Sequence, residues 1–263
     1  MASFITSLPS WVLFLLVFIS GVIAAETGAW FMRRRERKEP RDKHGPMGSL
    51  MGALLGLLAF ILGITFSITA SRYSERKHLV VDQAKAIGTC YLRTDFLPEK
   101  QKIQTRRLFD EYIDLLIGTS KSPSFEKNIS RLEALQTQIW QQTASLKDEK
   151  MDSPLRSLYV SSVNDVLDIF GERKTVVFIF RIPGAVWIIL LLLFIFSMFV
   201  AGLEISSFKL RRNINVPVMT AAFALIVVLI SAMDASTKPG HFTVSQQPLI
   251  DVQQMIRENQ SMP

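Results

Sequence analysis

Residues 48–96 read GSLMGALLGLLAFILGITFSITASRYSERKHLVVDQAKAIGTCYLRTDF, and this stretch decides the fold. Its first half, the apolar block Met47–Ala70, carries no charge. It exceeds the roughly 20 apolar residues a helix needs to cross the hydrocarbon core of a bilayer. The second half is charged, yet no proline separates it from the first. Tyr73, Val80, Ala84, Ile87 and Tyr91 recur at spacings of 7, 4, 3 and 4, a heptad-like stripe. Ser74, Glu75, Arg76, Lys77, Asp82 and Lys85 fill the other faces. Gly88 weakens the stripe, and Leu97-Pro98 ends it, because the residue before a proline is pushed out of the helical region. One nearly continuous helix is therefore predicted from Gly48 to Phe96. At 1.5 Å per residue it is about 70 Å long, more than twice a membrane core.

Three more apolar blocks lie outward of this stretch, Leu8–Met32, Ile182–Leu203 and Val216–Met233. Lipid leaves only helices and closed barrels as spanning structures, and unbroken apolar blocks of this length are helices. Basic residues follow the first block rather than precede it, so it reads as a retained span, not a cleaved signal. The expected fold is all-α: an integral membrane protein of four transmembrane helices, with a helical extramembrane domain inserted between the second and third. The expected segments are 1–71, two spans and a basic loop; 72–181, the helical domain; 182–234, two more spans; and 235–263, a tail.

Charge orients this arrangement. Residues 33–44 hold seven Lys or Arg, and Lys209, Arg211 and Arg212 follow the third block. Short cytoplasmic loops are enriched in Lys and Arg, so both loops belong inside. Both termini and residues 72–181 are then outside, which in a bacterial inner membrane is the periplasm. Trp11 and Trp30 flank the first block as interfacial anchors. Arg33–Lys43 would attract anionic lipids. The formal net charge of +7 sits beside the spans, which speaks for membrane topology and against nucleic acid as a partner.

Pro98-Glu99 opens a helical segment carrying Ile103, Leu108, Tyr112, Leu115 and Leu116. A second, near Phe125–Leu146, carries Ile129, Leu132, Leu135, Ile139 and Trp140. Asp152-Ser153-Pro154 is a start signal for a third. Only Thr175–Phe180 has a strand-like composition. A turn-rich stretch, Asp234–His241, precedes a short amphipathic tail, Pro248–Asn259. The single cysteine, Cys90, excludes an internal disulfide. No nucleophile elbow, Walker loop, zinc-protease or dinucleotide fingerprint occurs, so the chain reads as a non-enzyme without cofactor. His78 and Asp82 share a helical face, but two ligands are too few for a metal site.

Gly48, Gly52, Gly56 and Gly63 form a small-residue stripe on the second span, with Gly52–Gly56 a GxxxG motif. Such stripes let helix backbones approach closely in lipid, either within one chain or between subunits. Glu26 lies inside the first span, seven residues before Arg33, and Glu204 ends the third span, seven before Arg211. Ionisable groups in spans are costly, and each is either an ion pair or part of a conduction path. Thr65 and Thr69 share one face; they line a wet path or bond back to their own helix. Asp234, at the outer end of the fourth span, is a further ion-path candidate. Arg72, Arg76, Asp82, Arg93, Asp95 and Arg181 are candidates for an outer polar collar or a structural salt-bridge network.

The passage Ser71–Pro98, SRYSERKHLVVDQAKAIGTCYLRTDFLP, together with Pro239–Leu249, PGHFTVSQQPL, and the four-span layout, resembles a bacterial membrane family described as bestrophin-like. The resemblance covers most of the chain. It implies kinship with the bestrophins, pentameric anion channels with four spans per subunit. It also implies a cytosolic soluble region, which the loop charges contradict; we follow the charges. No acidic calcium clasp carries over. The expected function is an oligomeric ion channel lined by the second span. The alternatives are a membrane-anchored scaffold that binds partners through its helical domain, a sensor, which lacks a cytoplasmic output domain, and a secondary transporter, which lacks broken helices.

Overall fold

The structure is a computed structural model describing residues 8–36, 47–119, 125–149, 151–178, 180, 182–207, 214–235 and 243–261. Every regular element among them is helical: α1 (Ser10–Glu36), α2 (Met47–Arg93), α3 (Glu99–Thr119), α4 (Phe125–Ser145), α5 (Ser153–Phe178), α6 (Gly184–Ser207), α7 (Asn215–Asp234) and α8 (Gln247–Ser261). Four are long and apolar enough to span a membrane: Ser10–Arg35, Gly48–Phe96, Gly184–Glu204 and Asn215–Asp234. The all-helical membrane fold expected from the sequence is the one found.

The long second helix runs without interruption through 47 residues, then tightens into a 3-10 turn, Thr94–Phe96. Leu97 before Pro98 is extended, at φ −82° and ψ 153°. A polar knot closes this end. Arg106 Nη2 and Lys102 Nζ reach Asp95 Oδ1 at 2.9 and 2.7 Å, and Arg106 Nε donates to Thr94 Oγ1 at 2.9 Å. The strand-like Thr175–Phe180 instead continues α5 to Phe178. Its Val176 falls on the buried face, and Thr175 Oγ1 bonds back to the Gly171 carbonyl at 3.0 Å.

The chain divides into two compact units, Met1–Tyr73 with Arg181–Ser236, and Ser74–Phe180 with Thr237–Pro263. In the first, Leu13, Val17 and Ala24 of α1, Leu58 and Leu62 of α2, Trp187, Leu190, Phe194 and Met198 of α6, and Ala224, Val227 and Ile230 of α7 form the core. Lipid tails are as apolar as these side chains, so close van der Waals packing must hold the unit together. Glycines supply it where α1 crosses α6. A Cβ on Gly28 would be driven into the Phe199 carbonyl, and one on Gly202 into the Ala25 carbonyl. The two backbones touch because neither position carries a side chain.

The second unit packs the remainder of α2 with α3, α4, α5 and α8. Val80, Ala84, Ile87, Cys90 and Tyr91 of α2 meet Phe109, Tyr112, Ile113 and Leu116 of α3. Leu132, Leu135 and Ile139 of α4, Tyr159, Val163, Val166 and Phe170 of α5, and Leu249 and Ile256 of α8 complete the core. The C-terminal segment thus belongs to the helical unit. Burial pushes the Cys90 thiol up to about 12, so it stays protonated, a packed apolar group rather than a nucleophile.

Candidate functional site

The apolar half of α2 differs from the other spans in how little of it the chain covers. Of its most apolar window 17% is buried, against 39%, 44% and 33% for α1, α6 and α7. Its buried face is Leu58, Leu62, Thr65 and Thr69. A separate face carries Gly52, Gly56, Ala59 and Gly63, all exposed, at helical spacings that keep them in one stripe. A Cβ on Gly52, Gly56 or Gly63 would meet nothing within 4 Å. The helix-packing role expected of these three glycines is therefore not played within the chain. It falls to Gly28 and Gly202 instead. The sequence carried a signal for this, since Gly21, Ala25 and Ala29 follow one another at intervals of four on α1.

Thr65 and Thr69 face the bundle, at 5% and 1% exposure, so they are not part of the open stripe. Each hydroxyl donates to the carbonyl four residues back, Ile61 at 2.8 Å and Thr65 at 2.7 Å, the ordinary fate of a hydroxyl in an apolar helix.

The carboxylates take three different positions. Glu26 is exposed on α1 and pairs with Arg33 at 3.5 Å, one helix face and seven residues on. Glu204 approaches the start of α2: a Cβ on Gly48 would lie 3.3 Å from its Oε1. Asp234, 2% exposed at the end of α7, accepts the Ile182 amide at 3.2 Å. It ties the chain entering α6 to the end of α7, a fastening role.

The expected collar residues are engaged one by one and not as a ring. Asp82 pairs with Lys85 at 3.5 Å, and Arg93 Nη1 donates to the Leu158 carbonyl of α5 at 2.9 Å. Asp95 sits in the knot described above, where Lys102 first and then Arg106 hold its carboxyl below the usual range. Arg76 is buried and Arg72 half-buried. Arg181 lies outside the described residues, as do Lys209, Arg211, Arg212 and the basic run beyond residue 36. Of that run, Arg33, Arg34 and Arg35 form the last turn of α1, where cations suit the helix dipole. Arg34 stacks on Trp30 at 5.1 Å, and with Phe31 and Arg35 they line a surface hollow of about 420 Å³. Among the described residues no three His, Cys, Asp or Glu side chains are grouped to hold a metal.

This geometry can be set beside known proteins. The family model for a bestrophin-like domain matches residues 19–247. The chain belongs to the bestrophin-like family. Solved structures share its fold. A variant of a bacterial bestrophin homologue from Klebsiella pneumoniae superposes with a TM-score of 0.65 at 13% identity, over 94% of this chain and 97% of that one. A second variant of that homologue gives 0.66 at 13%, covering 95% and 98%. A crystallised membrane protein gives 0.67 at 12%, covering 96% and 99%. At such identities the likeness concerns the fold. No curated protein matches the chain.

Sequence reasoning missed one set of residues in this bestrophin-like chain. Gln83, Arg173 and Gln246 form a polar network inside the helical unit. The signal was available, because Arg173 falls in register with the apolar stripe Tyr159, Val163, Val166 and Phe170.

Proposed function

We propose that the chain is one subunit of a homo-oligomeric, ion-conducting membrane protein whose path runs along the open face of α2. The observation that carries this reading is the uncovered stripe Gly52, Gly56, Ala59 and Gly63. With 17% of its apolar window buried, this span keeps that stripe free for a second subunit or a path beside it. Glycines with open space at Cβ fit either close subunit packing or a narrow axis. Membership of the bestrophin-like family, and kinship in fold with a bacterial bestrophin homologue, support the same reading. The threonine face belongs to the bundle, so the path is lined by the glycine face. Glu204, beside the first turn of α2, is the carboxylate best placed to meet ions at the path's entrance. Glu26 serves as the ion-pair partner of Arg33.

In this reading the basic loops lie in the cytoplasm of a bacterial cell, where Arg34 and Arg35 contact anionic lipid. The helical unit and both termini are periplasmic. Tags at Met1 and Pro263 that resist external protease in spheroplasts would reverse that orientation. The conduction test is ion flux through purified protein in liposomes, with the oligomer's mass measured in parallel. Flux abolished by Gly56→Leu in an otherwise intact subunit is the expected result. Intact oligomers without flux would leave the scaffold reading in its place.

A further inference from the structure

Among the described residues of the helical unit, one arginine is held by neutral amides alone. Arg173 lies on the apolar face of α5. Its Nη1 donates to Gln83 Oε1 of α2, and its Nη2 to Gln246 Oε1, just before α8, at 2.8 Å. Both acceptors are neutral amides. They are themselves fixed: Gln83 is fully buried and donates to the Tyr112 hydroxyl at 3.5 Å, and Gln246 Nε2 donates to the Val244 carbonyl at 2.9 Å. Gln136 holds the same hydroxyl from α4 at 3.0 Å. Among the described residues no carboxylate pairs with Arg173, whereas its neighbour Lys174 pairs with Glu133 at 2.7 Å. Asp165, Asp168 and Glu172, the other acids on α5, lie on its exposed face. Desolvation pulls the guanidinium down to about 10, far enough to register the penalty but not to remove the charge near neutral pH. A desolvated charge without a partner is costly. The side chain as a whole is half-buried and keeps solvent contact.

We propose that the Arg173 guanidinium, positioned by Gln83 and Gln246, is a binding site for a small oxyanion bearing a carboxylate or phosphate group. Two of its five donors are used by the amides, one on each terminal nitrogen, which leaves three N–H groups for such an anion. The bound anion supplies the missing charge and locks three segments together: α2, α5 and the entry to α8.

The test uses the full chain in detergent at constant ionic strength, with phosphate, acetate or chloride as the varied anion. Saturating phosphate or acetate is expected to raise the unfolding temperature by about 5 °C over chloride, and the more effective of the two names the class. Arg173→Lys keeps the charge but not the guanidinium, and should abolish the rise. A rise that persists in Arg173→Lys, or one equal in chloride, overturns the site, as does no rise with either oxyanion. Should the variant fold poorly, crystals of the unaltered chain soaked in selenate decide the matter. An anomalous peak on the guanidinium supports the site, and an empty guanidinium or a neighbouring copy's carboxylate in that place overturns it.

Discussion

The two halves of α2 are built from one helix and obey opposite rules. In the helical unit its apolar stripe is covered: Val80, Ala84, Ile87, Cys90 and Tyr91 are all at most 3% exposed. In the membrane unit its small-residue stripe is bare, while Leu58, Leu62, Thr65 and Thr69 are buried and Leu55 and Ile61 pack partly against the core. Water explains the first half, since burying each large apolar side chain there contributes about 1.5–3 kcal/mol. Lipid explains the second, since apolar surface has no reason to leave it, and only close backbone approach or a functional lining organises the faces. A periodic stripe therefore means a core when the solvent is water. It means a contact still to be made when the solvent is lipid.

The largest effect should come from Gly202→Leu, or its partner Gly28→Leu, where a side chain must displace backbone. Destabilisation on the order of 3 kcal/mol or more is expected. Loss of the folded chain from detergent extracts, by size-exclusion chromatography, checks it. Next comes Ile87→Ala, which opens a cavity in the helical unit's half of α2 at a fully buried position. It should cost about 3 kcal/mol, read as a lowered unfolding temperature. Its counterpart on the open half, Gly56→Leu, should change the stability of the isolated subunit by less than about 0.5 kcal/mol. It should nevertheless abolish liposome flux or oligomer assembly. An equal loss of subunit stability in both variants would erase the contrast between the halves. Glu204→Gln should alter currents in reconstituted bilayers more than Glu26→Gln does, because only Glu204 adjoins α2.

The smallest effect concerns the knot that ends the helix. Lys102 and Arg106 lower the Asp95 carboxyl, so its contribution is present above the unfolded carboxylate range and fades as pH falls through the folded value. The Asp95 side chain is 48% exposed, so solvent screening holds the contribution to about 0.5 kcal/mol. Asp95→Asn should remove that amount at pH 7, and the difference between variant and parent should vanish only once the pH has fallen below the lowered folded value of the carboxyl, in unfolding measurements at matched salt.

Legibility followed the same divide. The long helix, its end at Leu97-Pro98, the four spans and the core positions of the helical unit could be read from period and composition, because local chemistry sets them. Thr65 and Thr69 could not be placed, since the same two hydroxyls suit a wet path or a packed face, and only the packing of the first unit decides. Gly52 and Gly28 belong to equally plausible small-residue patterns. Which one meets another backbone depends on the crossing of two helices far apart in sequence. Arg173 was hidden for the same reason: its acceptors come from residues 83 and 246.

By itself the sequence determined that this chain is helical, carries four membrane-spanning apolar helices and continues the second of them through a charged, periodic half. Chain-local hydropathy and period fix those properties. Only the tertiary structure decided which glycines close the bundle, which face of the second span remains open, and that a lone arginine sits among neutral amides. Each is a matter of which distant residues come within 4 Å, and no local pattern records that.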